Sequence, residues 1–132
     1  MINQKLIKLC NAMAEFEGWK PNGDFSHPAK YPSVAYRNHN PGNLRKSIFQ
    51  LGVRDEFAFF QNDSVGMFAM QYDIMQKCKG QTVTTLTGFS TISDLIKIYS
   101  CAEGEALQNY ITHVCKMTGF EPFMQLKDII SQ

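Results

Sequence analysis

Two parts of this sequence could do chemistry: a glutamate at the end of a patterned helix, and an asparagine-rich turn. Glu17 closes the run from Leu6 to Glu17, immediately before Gly18. A helix turns by about 100° per residue, and with Leu6 at zero, Leu9, Cys10, Met13 and Phe16 fall within about 80° of it. Glu17 falls at about 20°, inside that apolar stripe, and Glu15 at about 180°, with Lys8 and Asn11 on the wet face. A carboxyl set among apolar walls is expected to hold its proton more tightly than a solvated one. That property suits a general acid working near neutral pH. The alternative is a residue at a fraying helix end that turns outward to water.

The second part is Tyr36-Arg37-Asn38-His39-Asn40-Pro41-Gly42-Asn43-Leu44-Arg45. Three Asn, a Pro and a Gly favour a tight turn held by side-chain hydrogen bonds. Asn amides both donate and accept, which suits sugar hydroxyls and acetamido groups. They serve equally well as structural Asx turns. The basic residues Arg37, His39, Arg45 and Lys46 make a short cluster without interleaved aromatics. Asp55 and Glu56 follow closely, so a solvated charged turn is expected rather than a phosphate site.

The elements that must position these residues read as a helix, a long irregular stretch, then further helices. After Gly18, the breakers Pro21, Gly23, Pro28, Pro32, Pro41 and Gly42 forbid a long helix. Glu56 to Phe60 reads as a short strand, paired with Leu51-Gly52-Val53 or with the segment near Tyr36. Asn62, Asp63 or Ser64 then caps a helix with two apolar stripes, one of Val65, Phe68, Tyr72 and Met75, the other of Met67, Met70 and Ile74. It is expected to be the buried central helix, ending at Gly80. Thr91-Ile92-Ser93-Asp94 resembles a capping box opening a helix with Ile92, Leu95, Ile96 and Tyr99 on one face. A further helix carries Leu107, Tyr110, Ile111, Val114 and Met117 and stops at Gly119. Pro122 fits the first turn of a last helix holding Phe123, Leu126, Ile129 and Ile130.

Composition narrows the class. At 132 residues the chain suffices for one domain with a real core, expected to span 1–132. The formal net charge of +1 argues against a dominant nucleic-acid or membrane footprint. No apolar run is long enough for a transmembrane helix. The start, Met1-Ile2-Asn3-Gln4-Lys5, lacks the parts of a signal peptide. Cys10, Cys78, Cys101 and Cys115 form no CxxC pair, and His27, His39 and His113 lack metal-ligand spacing, so neither a disulfide framework nor a zinc site is implied. Cys10 and Cys115 sit at helix-face positions where a thiol acts as a small hydrophobe.

Several of these segments together resemble a known family. Ala12-Met13-Ala14-Glu15-Phe16-Glu17-Gly18-Trp19, the Tyr36–Arg45 loop, Phe57-Ala58-Phe59-Phe60 and Gly66 are similar to a lysozyme-like family of phage and prophage peptidoglycan hydrolases, akin to the lytic transglycosylases. Thr84-Thr85-Leu86, Ile96 with Tyr99, and Tyr110-Ile111 with Val114 before Gly119 extend the resemblance over nearly the whole chain. Its most specific piece is the Asn40-Pro41-Gly42-Asn43-Leu44 loop. Two departures bear on glycan preference: His39 stands where an Asn is usual, and Lys46 to Leu51 lacks a Gly-rich spacer.

The resemblance implies a mainly α (α+β) lysozyme-like domain, with helices around a central buried helix and a small irregular or β region at about 30–60. It implies that Glu17 is the catalytic acid, that Asn40, Asn43, Leu44 and Arg45 belong to the loop lining the cleft, and that Tyr110 lies close to substrate. No metal or organic cofactor is implied. The expected activity is cleavage of the MurNAc-GlcNAc backbone of peptidoglycan by a single Glu, as in lytic transglycosylases. The alternatives are a hydrolytic muramidase using Asp55, Glu56 or Asp63 to position water, and a non-catalytic wall-binding or virion structural protein on the same fold. The expected partners are peptidoglycan strands, and virion components or a holin-dependent release route. The expected setting is a phage virion or the host cytoplasm before release.

Overall fold

A computed structural model of the chain describes residues 3–19 and 33–131. Of the breaker-rich stretch, Pro21, Gly23, Asp24, His27, Pro28 and Pro32 fall outside the described residues. Six helices and two strands are described: α1 Gln4–Phe16, α2 Val34–Arg37, β1 Gly52–Arg54, β2 Phe57–Phe59, α3 Asp63–Cys78, α4 Ile92–Ser100, α5 Gly104–Thr118 and α6 Leu126–Ile130. The protein is therefore mainly helical with a small two-stranded sheet. The residues divide into two compact units, Met13–Tyr72 and Met1–Ala12 with Asp73–Gln132, so α1 and α3 each supply residues to both.

The Met13–Tyr72 unit holds the sheet. β1 and β2 pair antiparallel with Gly52 opposite Phe59, Val53 opposite Ala58 and Arg54 opposite Phe57. The two residues between them, Asp55 and Glu56, have φ of 56° and 70°, the left-handed conformations of a type I′ hairpin turn. Glu56, expected to begin the strand, thus belongs to the turn. The segment near Tyr36 is not a second sheet partner. It is the four-residue helix α2, capped by Ser33, whose side-chain oxygen accepts from the Tyr36 N–H. Asn62 caps α3 by accepting the Val65 N–H at 2.9 Å. The buried positions of α3 here are Gly66, Ala69 and Met70. A Cβ at Gly66 would lie 1.8 Å from the His39 carbonyl oxygen, so the helix meets the asparagine loop backbone to backbone at this point. That contact chooses the face of α3. Phe68, expected in an apolar stripe, is 45 % exposed, and packs edge-on against Phe49 with ring centroids 5.2 Å apart.

In the other unit Asn3 caps α1, accepting the Leu6 N–H at 3.0 Å, and Leu6, Leu9 and Cys10 are wholly buried. α3 ends at Gly80, with φ of 70°. The Thr91–Asp94 capping box is formed in both directions: Thr91 accepts the Asp94 N–H and Asp94 accepts the Thr91 N–H. Ile92, Leu95 and Ile96 are buried, as are Tyr110, Ile111 and Val114 on α5, which stops at a left-handed Gly119. Met117 is 48 % exposed, and Thr118 takes the buried position in the last turn of α5. The last helix is shorter than its apolar pattern. Phe123 is 71 % exposed, and residues before 126 instead form a turn and a bridge between Thr91 and Gln125. The four cysteines are all free thiols.

Candidate functional site

The end of α1 is built by its own backbone. The Gly18 N–H donates to Glu15 at 3.1 Å and the Trp19 N–H to Ala14 at 3.0 Å. This pair of bonds, with Gly18 left-handed at φ 96°, is a Schellman cap. Glu17 is the last half-helical residue of that cap, its N–H still bonded to Met13 at 3.1 Å. Its orientation is therefore fixed by the same glycine that stops the helix. The stripe expected around it is only partly buried. Met13 is fully covered, but Phe16 is 40 % exposed and Glu17 itself is half-buried. The acid thus lies at the boundary of the apolar region, not within it.

The asparagine loop closes on this helix end. Asn43 donates its side-chain amide to the Glu17 carbonyl at 3.1 Å and to the Glu17 carboxylate Oε2 at 3.4 Å. Asn43 adopts a left-handed conformation at φ 49°, which Asn tolerates better than other side chains with a Cβ. The Asn43 Oδ1 is buried without a hydrogen-bond partner among the described residues. Asn40 has a different task. It is fully buried, donates to the Leu44 and Ala58 carbonyls at 2.9 Å each, and accepts the Leu44 N–H at 2.9 Å. Asn40 is thus used up inside the protein, pinning the loop to β2. The backbone adds to this, since the Ala58 N–H donates to Leu44 at 2.9 Å.

Leu44 is buried. Arg45 is exposed and lays its guanidinium over the Phe57 ring at 4.9 Å, a flat cation on the surface beside the loop. Tyr110 belongs to the other unit, on α5, where it is buried at 2 % exposure.

Three residues have supporting roles that the sequence reading did not assign, and of these Ser33 was not singled out at all. Ser33 donates its hydroxyl to the Gly18 carbonyl at 2.9 Å while capping α2, so it ties a second helix start to the Glu17 turn. Asn38, fully buried, accepts from Arg54 Nε at 2.8 Å and donates to the Arg54 carbonyl at 3.0 Å. Trp19 stacks against Tyr36 with ring centroids 5.8 Å apart. Ser33 could have been suspected as a helix cap, but a helix of four residues has too little periodicity to announce itself.

Two other carboxylates of this unit have charged partners, while Glu56 is exposed in the hairpin turn. Asp55 pairs with Arg37 at 3.3 Å, and Asp63 accepts from His39 Nδ1 at 2.6 Å. Among the described residues no group of three or more His, Cys, Asp or Glu could hold a metal ion. No described helix is long and apolar enough to cross a membrane. No protein-family model, curated protein or solved structure matches the chain.

Proposed function

We propose that this protein cleaves the glycan backbone of bacterial peptidoglycan, with Glu17 as the single acid/base. One observation carries the reading: the asparagine loop and the glycine-stopped helix end, the two segments on which the family resemblance rests, meet at the Asn43–Glu17 hydrogen bonds. A general acid needs a fixed direction and access to solvent, and a half-buried Glu anchored at its backbone and touched at its carboxylate has both.

On this reading Glu17 gives its proton to the glycosidic oxygen as the bond to the muramoyl anomeric carbon breaks. The resulting carboxylate then takes the proton of the muramoyl 6-hydroxyl, whose oxygen attacks the anomeric carbon. The products are an anhydromuramoyl end and a new GlcNAc hydroxyl, and Glu17 returns protonated. Most glycosidases use two carboxylates at set separations. Of Asp55, Glu56 and Asp63, the first and last are held by Arg37 and His39 and Glu56 is exposed in the hairpin turn, which supports the one-carboxylate route. Digestion of sacculi followed by mass spectrometry tests the proposal. Anhydromuramoyl ends support it, and reducing ends replace it with a hydrolytic muramidase. No cleavage, with binding retained, replaces it with a wall-binding or structural role.

A further inference from the structure

A groove of about 610 Å³ lies between α4 and α5, wholly inside the unit that contains both helices. Its apolar lining comes from Leu107, Ile111 and Pro122, and its hydroxyls from Ser93 and Thr112. Each helix also contributes an exposed lysine in its last turn, Lys97 from α4 and Lys116 from α5. Among the described residues no carboxylate lies within salt-bridge distance of either ammonium. The acid in the lining, Asp94, has its Oδ2 turned onto the Thr91 N–H at 2.9 Å as part of the capping box. Glu121, next to Pro122 of the lining, adds to burial in raising the Cys115 thiol. Two lysines with no carboxylate partner among the described residues thus face a groove whose one lining carboxylate accepts from the cap of its own helix.

We propose that this groove binds a short acidic peptide, and, resting on the function proposed above, that the peptide is the stem peptide of peptidoglycan. The chemistry matches group by group. Free carboxylates meet Lys97 and Lys116, alanine methyls meet Leu107, Ile111 and Pro122, and peptide amides meet the hydroxyls of Ser93 and Thr112. The volume is in the range of small-ligand sites, about 300–1,000 Å³. Exposed ion pairs contribute little each, so the site is weak and salt-sensitive, suited to a repeating ligand presented at high local density.

The test uses the full chain and the free tripeptide L-Ala–γ-D-Glu–meso-diaminopimelate as probe, titrated by NMR at low and at physiological salt. Lys97→Gln with Lys116→Gln should weaken binding on the order of tenfold, as loss of two exposed pairs would, and shifts should map to α4 and α5. Both lysines are exposed, and thermal midpoints check that the double variant is folded. In parallel, wild type and double variant are given intact sacculi and glycan strands stripped of peptide by an amidase. Faster cleavage of peptide-bearing strands by wild type, lost in the double variant while stripped strands are cut equally, supports the inference. Tripeptide binding that is absent, or unchanged by the double variant, overturns it, and cleavage of stripped strands would then leave the Glu17 reading standing. Lysine-dependent tripeptide binding in a protein that cuts neither substrate supports the peptide groove and removes the glycan activity.

Discussion

Asn43 donates one amide group to two oxygens of Glu17, the backbone carbonyl at 3.1 Å and the carboxylate at 3.4 Å. The shorter contact is the one to the backbone, so the amide chiefly holds the helix end to the loop and only secondarily touches the carboxylate. These two roles are separable because Asn43 sits at φ 49°, where glycine is unstrained and alanine is not. Asn43→Ala should lose stability through strain of about 1–2 kcal/mol in addition to the lost bonds. Asn43→Gly should keep most of the stability and still lose cleavage, because the contact to Glu17 is gone. Denaturant titration and a sacculus-clearing assay on both variants check this. Full activity in Asn43→Gly would limit the residue to shaping the turn.

Glu17 and Glu15 are two residues apart at one helix end, both are half-buried, and it is the Glu17 carboxylate that accepts from the loop's Asn43. Glu17→Gln should therefore reduce cleavage by the ~10²–10⁴-fold typical of a lost general acid, while Glu15→Gln leaves it within a few-fold. Product counting by mass spectrometry on matched protein amounts decides the matter. Equal losses in the two variants would show that both act through the helix end and neither through proton transfer.

The sequence made the helix ends legible because their signals are local. Gly18, Gly80 and Gly119 each stop a helix in a left-handed conformation, and Thr91 with Asp94 forms the capping box its spacing announced. The faces of the helices were less legible, because a face is selected by what packs against it. Hydrophobicity favours Phe68, but the close approach in α3 is at Gly66, and that turns Phe68 outward onto Phe49. The hairpin turn was hidden for a related reason. Asp55 and Glu56 both take left-handed conformations without the Asn-Gly pair that usually marks such a turn. In the asparagine loop, type and spacing marked a special structure but could not apportion its members. Asn40 serves the loop through bonds to Leu44 and to Ala58, 18 positions away, and only Asn43 reaches Glu17.

Gly66 offers a test of the loop that does not depend on activity. A methyl group there would meet a backbone carbonyl oxygen at 1.8 Å and Pro41 Cδ at 3.0 Å, and a carbonyl cannot swing aside as a side chain can. Gly66→Ala should therefore destabilise by at least the upper end of the ~1–3 kcal/mol usual for overpacking, despite alanine's better helix propensity. Thermal unfolding measures it. A Gly66→Ala protein as stable as wild type would mean that α3 and the asparagine loop are not in contact.

The buried thiols set the behaviour of the protein in alkali. Burial pushes the Cys78 thiol up to about 12, and drives Cys10 upward as well, with Cys78 and Asp73 adding to it. An unfolded cysteine ionises near 8.5. Below that pH both states carry the proton, and the stability that the neutral buried thiol favours is fully present. Above it the unfolded chain gives up the proton while the fold retains it, so stability falls, and continues to fall until the folded thiol itself ionises. For one thiol the slope is about 1.4 kcal/mol per pH unit. Cys78→Ala should therefore be less stable than wild type at pH 7, since it removes buried volume, but should lose stability less steeply between about pH 9 and 11. Comparing the two slopes by urea titration cancels the tyrosines and lysines that titrate in the same range. Parallel slopes would mean that Cys78 reaches solvent in the folded protein, and rapid alkylation of the native Cys78 at pH 8 would show the same opening directly.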